Sequence, residues 1–108
     1  MTEVDLRNFE AEVLKSTGVV LVDFYGDQCP PCKVLAPTLE AFAAKGFKVV
    51  KVNFEDSPEL TEHYKVETLP TILSFKDGNA IIRATGILSM ADLHRLHDHT
   101  AKYEPKAA

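Results

Sequence analysis

Two cysteines, Cys29 and Cys32, are the only thiols in the chain, and both residues between them, Pro30 and Pro31, are proline. Thiols at this spacing can close a small disulfide ring without moving the rest of a fold. They follow an apolar run, Val19 to Tyr25, and a short turn, Gly26-Asp27-Gln28, and they open a helical pattern. A thiol at a helix N-terminus feels the positive end of the dipole, which lowers its pKa from about 8.5 toward roughly 7 or below. Proline suits the first helical positions, whose amides have no intrahelical acceptor. Pro30 and Pro31 also remove two amides that could have bonded a thiolate, which works against a low pKa for Cys29. The pair alone is open to three readings: half of a zinc site, a structural disulfide, or a redox dithiol. Zinc needs about four ligands, and there is no second CxxC. Asp23 adds to the redox reading. It interrupts the apolar run, where burial raises a carboxylate's pKa, and near a dithiol it is a candidate proton acceptor.

The elements around this stretch read as one α/β domain over residues 1–108. Val4 has room for only a short first strand. Asp5 to Lys15 reads as a helix with Leu6, Phe9, Val13 and Leu14 on one side, ended by Ser16-Thr17-Gly18. Val19 to Tyr25 is a nearly continuous β-branched and apolar run, the pattern of a strand covered on both faces. The helix from Pro30 runs to Lys45-Gly46 with Pro37 kinking its interior. Phe47 to Phe54 reads as a strand, and Ser57-Pro58-Glu59 as a helix start running to about Tyr64. Thr71 to Phe75, the turn Lys76-Asp77-Gly78-Asn79 and Ala80 to Thr85 form a hairpin. Gly86 then marks a bulge or close packing. Ser89 caps a last helix with Leu93, Leu96 and Thr100 facing inward, and Tyr103 to Ala108 reads as a frayed tail. The order β-α-β-α-β-α-β-β-α predicts parallel pairing first and an antiparallel hairpin last.

Composition narrows the function. Hydrophobic residues at 45% and charged residues at 26% predict a folded core rather than disorder. A net charge of −4 argues against nucleic acid as the main partner. The acidic start, Met1 to Asp5, has no apolar core of a signal peptide, and no run is long enough to span a membrane, so a cytoplasmic location is expected. Two cysteines in such a chain point to catalysis or metal. His94 and His97 are three apart on the last helix; solvated histidines outweigh a metal site there, and no metal is expected.

The chain resembles the thioredoxin family over nearly its whole length. The resemblance rests on Val22-Asp23-Phe24, Cys29-Pro30-Pro31-Cys32-Lys33, Ala36-Pro37, Lys51-Val52-Asn53, Leu69-Pro70-Thr71, Phe75-Lys76-Asp77-Gly78 and Gly86, in order and spacing. It implies a central mixed sheet of four to five strands flanked by about four helices. It also implies a thiol–disulfide oxidoreductase that reduces protein disulfides through a Cys29–Cys32 cycle, with no cofactor beyond that disulfide. Cys29, exposed at the helix tip, would be the nucleophile and the less exposed Cys32 the resolving thiol. Asp23 would be the base and Lys51 the charge moderating it. Pro70 would be a cis-proline facing the dithiol, Leu69 would offer its backbone to an extended substrate, and Gly86 would admit it closely. Gln28 and Pro30 would complete the docking rim. The partners implied are disulfide-containing proteins and a flavoprotein reductase, with the chain a monomer.

The active-site stretch is atypical. Gln28 and Tyr25 stand where the family usually has tryptophan, Pro30 stands where it has glycine, and the first strand is short. These departures bear on substrate range and reduction potential, not on the fold. They keep open an oxidant, isomerase-like or glutaredoxin-like variant and, in a different class, a binding module that has kept the fold.

Overall fold

The computed structural model describes residues 1–104. A five-stranded mixed sheet runs through the centre: β1 (Thr2–Glu3), β2 (Val19–Tyr25), β3 (Val49–Asn53), β4 (Thr71–Lys76) and β5 (Asn79–Thr85). Their order across the sheet is β1-β3-β2-β4-β5. β3 is parallel to both β1 and β2, while β4 is antiparallel to β2 and β5. Among the described residues three α-helices flank it: α1 (Pro30–Ala44), α2 (Pro58–His63) and α3 (Met90–Lys102). The predicted alternation of elements and the parallel-then-antiparallel pairing are both present.

Strand periodicity divides the core in two. Val20, Val22 and Phe24 of β2 point to one face with Val50, Val52, Leu73 and Phe75, where Phe9, Val13 and Leu60 cover them. Leu21 points to the other face with Val49 and Ile72, under Leu35, Leu39 and Phe42 of α1 and Leu93 and Leu96 of α3. Asp23 and Tyr25 follow Leu21 at intervals of two, so they share the α1 face. The apolar run at β2 is thus a strand buried from both sides, as its composition implies.

The N-terminal helix differs from expectation. The segment opens with α-type bonds, the Phe9 amide to the Asp5 carbonyl at 2.9 Å, but Glu10–Leu14 is π-wound, with the Lys15 amide bonded to the Glu10 carbonyl at 2.8 Å. A π turn takes more residues than an α turn. Phe9 and Val13, four apart, therefore point inward, while Leu6 and Leu14 remain exposed. β1 lies just before Val4, whose amide completes the pairing by bonding the Lys51 carbonyl.

The ends of the other elements follow their local chemistry. Ser89 and Asp92 form a reciprocal capping box at α3. Leu93, Leu96 and Thr100 are all buried as predicted. Ser57 sits at the N-cap of α2, but its side chain makes no capping bond and its hydroxyl is buried without a partner. The hairpin turn has Asp77 and Gly78 at φ 50° and 86°, the left-handed pair that a two-residue turn requires. The bulge lies at Ser74/Phe75 rather than at Gly86. The tail beyond residue 104 lies outside the described residues.

Candidate functional site

Cys29 is the N-cap of α1, and Pro30 and Pro31 occupy the first two helical positions. The first amide left to point out of the helix is that of Cys32, and it donates to Cys29 Sγ at 3.2 Å. The two prolines therefore leave one donor to the sulfur where an ordinary helix start offers more. Cys29 and Cys32 are joined as a disulfide with their Cα atoms 5.2 Å apart. Cys29 is 7% exposed and Cys32 6%. The expected contrast between an open nucleophile and a covered partner is absent in this oxidised form.

Beneath the dithiol lies a cavity of about 220 Å³ lined by Cys32, Asp23, Lys51, Tyr25, Asp27 and Glu40, among others. Register explains the gathering. Asp23 of β2 pairs with Lys51 of β3, so their side chains leave the sheet on the same face, toward the start of α1. Asp23 Oδ1 is buried with no hydrogen-bond partner. Burial pushes its carboxyl up to about 7; Lys51 lowers it and Glu3 raises it. Asp23 is thus a carboxyl that changes charge near neutral pH beside Cys32. Lys51 is half-buried, and its ammonium lies over the Tyr25 ring at 5.4 Å from the centroid. Among the described residues no direct ion pair joins it to Asp23.

The sequence-predicted rim residues collect at the same end of the sheet. The Leu69–Pro70 bond is cis. The antiparallel register Phe24↔Thr71 places these two residues at the C-terminal end of β2, the end from which the chain turns toward Cys29. Thr71 also pairs with Thr85, and the Gly86 amide bonds the Pro70 carbonyl at 3.0 Å. Gln28 and Pro30 are exposed, Leu69 is half-buried and Pro70 buried. Gly26 closes the turn between them: a Cβ there would sit 2.7 Å from the Phe54 ring and 3.1 Å from Leu69.

Two side chains, Glu3 and Glu40, escaped the sequence reading, while Asp27, read as a solvated turn residue or a second charge at the rim, lines the cavity. Glu3 accepts the Tyr25 hydroxyl at 2.6 Å, Asp27 accepts the Asn53 side-chain amide at 3.3 Å, and Glu40 reaches the cavity from α1. The only signal for Glu3 was its place in a first strand too short to register by pattern. His94 and His97 instead pack edge-on against Phe42 and Phe47. Among the described residues no group of three metal-ligating side chains gathers anywhere, and no helix is long and apolar enough to cross a membrane.

Residues 1–99 match the family model described as thioredoxin. Curated relatives bear the same name. A thioredoxin of Chlamydia caviae is 40% identical over 95 residues, covering 86% of this chain and 91% of its own. One from Acidithiobacillus ferridurans is 42% identical over 89 residues, covering 80% and 82%. One from Pseudomonas aeruginosa is 39% identical over the same length and coverage.

Proposed function

This chain belongs to the thioredoxin family and is a thiol–disulfide oxidoreductase, and from that premise we propose that it runs as a reductant of protein disulfides, with Cys29 as nucleophile and Cys32 as resolving thiol. The Cys29 thiolate attacks one sulfur of a target disulfide, forming a mixed disulfide and releasing the other target sulfur as a thiolate. Asp23 takes the Cys32 proton, directly or through a water. The Cys32 thiolate then attacks Cys29 Sγ, closing the Cys29–Cys32 bond and releasing the second target sulfur. The target gains two electrons and the dithiol loses them. A flavoprotein reductase of the kind the family uses returns them, so the couple itself is the redox group and no further cofactor enters.

The observation that carries the reading is Asp23, an unpartnered buried carboxyl opening into the same cavity as Cys32. Lys51 keeps that carboxyl from rising further. The targets are disulfide-bearing proteins that dock on Gln28, Pro30, Leu69, Pro70 and Gly86, an extended segment pairing with the Leu69 backbone as an added strand. A single domain across residues 1–108, a monomeric state and a cytoplasmic location complete the proposal. The family match over residues 1–99 supports the first, and the demand of a reductant for a reducing compartment supports the last.

The reduction potential of the Cys29–Cys32 couple tests the direction of flow. Equilibration in defined thiol–disulfide buffers should give a value near about −270 mV or lower. A value above about −200 mV overturns the reductant and makes the protein an oxidant or isomerase. Cys29→Ser should abolish disulfide reduction, and survival of the cellular role in that variant would instead assign a binding module.

A further inference from the structure

β1 is two residues long and pairs only with β3, through Thr2↔Val50 and Glu3↔Lys51. β3 pairs in turn with β2 through Asp23↔Lys51. Glu3, Lys51 and Asp23 therefore form one row across three strands, a cation between two carboxylates, all on the face toward α1. Tyr25 lies two residues beyond Asp23 on that face. Its hydroxyl is fixed on Glu3 Oε1 at 2.6 Å and its ring carries the Lys51 ammonium. A glutamate on an exposed edge strand ordinarily only keeps that edge soluble. This one is held by a short hydrogen bond to a side chain lining the dithiol cavity.

We propose that Glu3 is a positioning residue for proton transfer at Asp23: its carboxylate anchors Tyr25, and through the Tyr25 ring the ammonium of Lys51, and it opposes Asp23 across the one cation of the row. The inference rests on the reading of Asp23 as the base for Cys32. A negative charge at Glu3 favours the protonated form of Asp23, and Lys51 favours the ionised form. Burial lifts the carboxyl to about 7, and these two charges adjust it in opposite directions. The other charged residues lining the cavity are Asp27 from the turn and Lys33 and Glu40 from α1, with Met1 and Cys32 beside them. After burial, only Lys51 and Glu3 act appreciably on Asp23. The same short strand thus closes the sheet edge and adjusts the charge of the group buried two strands away.

Glu3→Gln keeps an acceptor for the Tyr25 hydroxyl and removes the charge. Titrating the Asp23 carboxyl by carbon NMR should show its midpoint falling by about 0.5 pH unit, the effect of one screened charge at this range. Glu3→Asp should restore the midpoint, and high salt should shrink the difference. The pH at which disulfide reduction accelerates should move with it. An unmoved Asp23 midpoint in Glu3→Gln overturns the inference, whatever the variant does to thermal stability. Asp23→Asn separates the two claims. If it leaves the pH–rate profile unchanged, the base assignment fails while the titration still decides the role of Glu3.

Discussion

Asp23 places a costly group where a hydrophobic one would pack. The proposed exchange calls for a proton acceptor near Cys32, and the core surrounding it disfavours charge. Burial decides the balance, lifting the carboxyl to about 7 against the pull of Lys51. The unfolded chain ionises Asp23 near pH 4, so between about pH 4 and 7 the native state binds the extra proton and stability falls as pH rises. Above pH 7 the full penalty is present, about 4 kcal/mol from the separation of the two values. Asp23→Asn should therefore be more stable than the parent by about that amount at pH 8 and nearly equal to it near pH 4. Urea unfolding at the two pH values reads the difference directly. Denaturation curves separated equally at both would mean that Asp23 ionises as readily folded as unfolded. The residue was legible in the sequence because a carboxylate inside a β-branched run has few bland explanations. Glu3 was not, because an exposed acid at a chain end looks like any other until a two-residue register sets it opposite Lys51.

Among the elements, those defined by a long local pattern match their sequence reading, and those defined by tertiary contacts do not. β2, α1 and α3 begin and end where apolar runs, prolines and capping residues place them. The N-terminal segment carries an amphipathic pattern consistent with an ordinary helix, yet it winds as a π turn. Its neighbour explains part of this. The hairpin turn docks against its end: the Gly18 amide bonds Asp77 Oδ1 at 2.8 Å and the Asp77 amide bonds the Gly18 carbonyl at 3.1 Å. A Cβ on Gly78 would lie 2.3 Å from the Leu14 carbonyl oxygen. No residue pattern within the segment could have announced a contact with a turn so far along the chain. Gly78 therefore serves both its left-handed φ and this close approach. Gly78→Ala should destabilise the fold by about 2–3 kcal/mol, combining backbone strain with displacement of the Leu14 carbonyl. Its reduction potential should stay at the parent value, since the turn lies at the end of β4 away from Cys29. A shift in denaturation midpoint of the size of an ordinary surface change would show that the π turn yields freely.

For the molecule as a whole, folding and redox chemistry are two sides of one thermodynamic cycle. Oxidation of the unfolded chain and of the native chain differ in free energy by as much as unfolding of the oxidised and reduced proteins differ. A reductant must therefore be a fold that holds its disulfide better than its dithiol. Two features of this structure favour the disulfide. Ring closure between Cys29 and Cys32 restricts the unfolded chain, contributing about 2 kcal/mol for so small a loop. The reduced form must also hold a Cys29 thiolate with only the Cys32 amide as its helix-start donor. The oxidised protein should accordingly unfold at higher denaturant, with a stability advantage of about 2 kcal/mol or more. At two electrons that advantage lowers the native potential by about 40 mV relative to the unfolded chain. Unfolding both forms in parallel, with the reduced one kept under excess thiol, measures the gap. Equal stabilities, or a more stable dithiol, would invert the cycle: Gln28, Pro30 and Tyr25 would then have turned a reductant's fold into an oxidant, whatever the family resemblance implies.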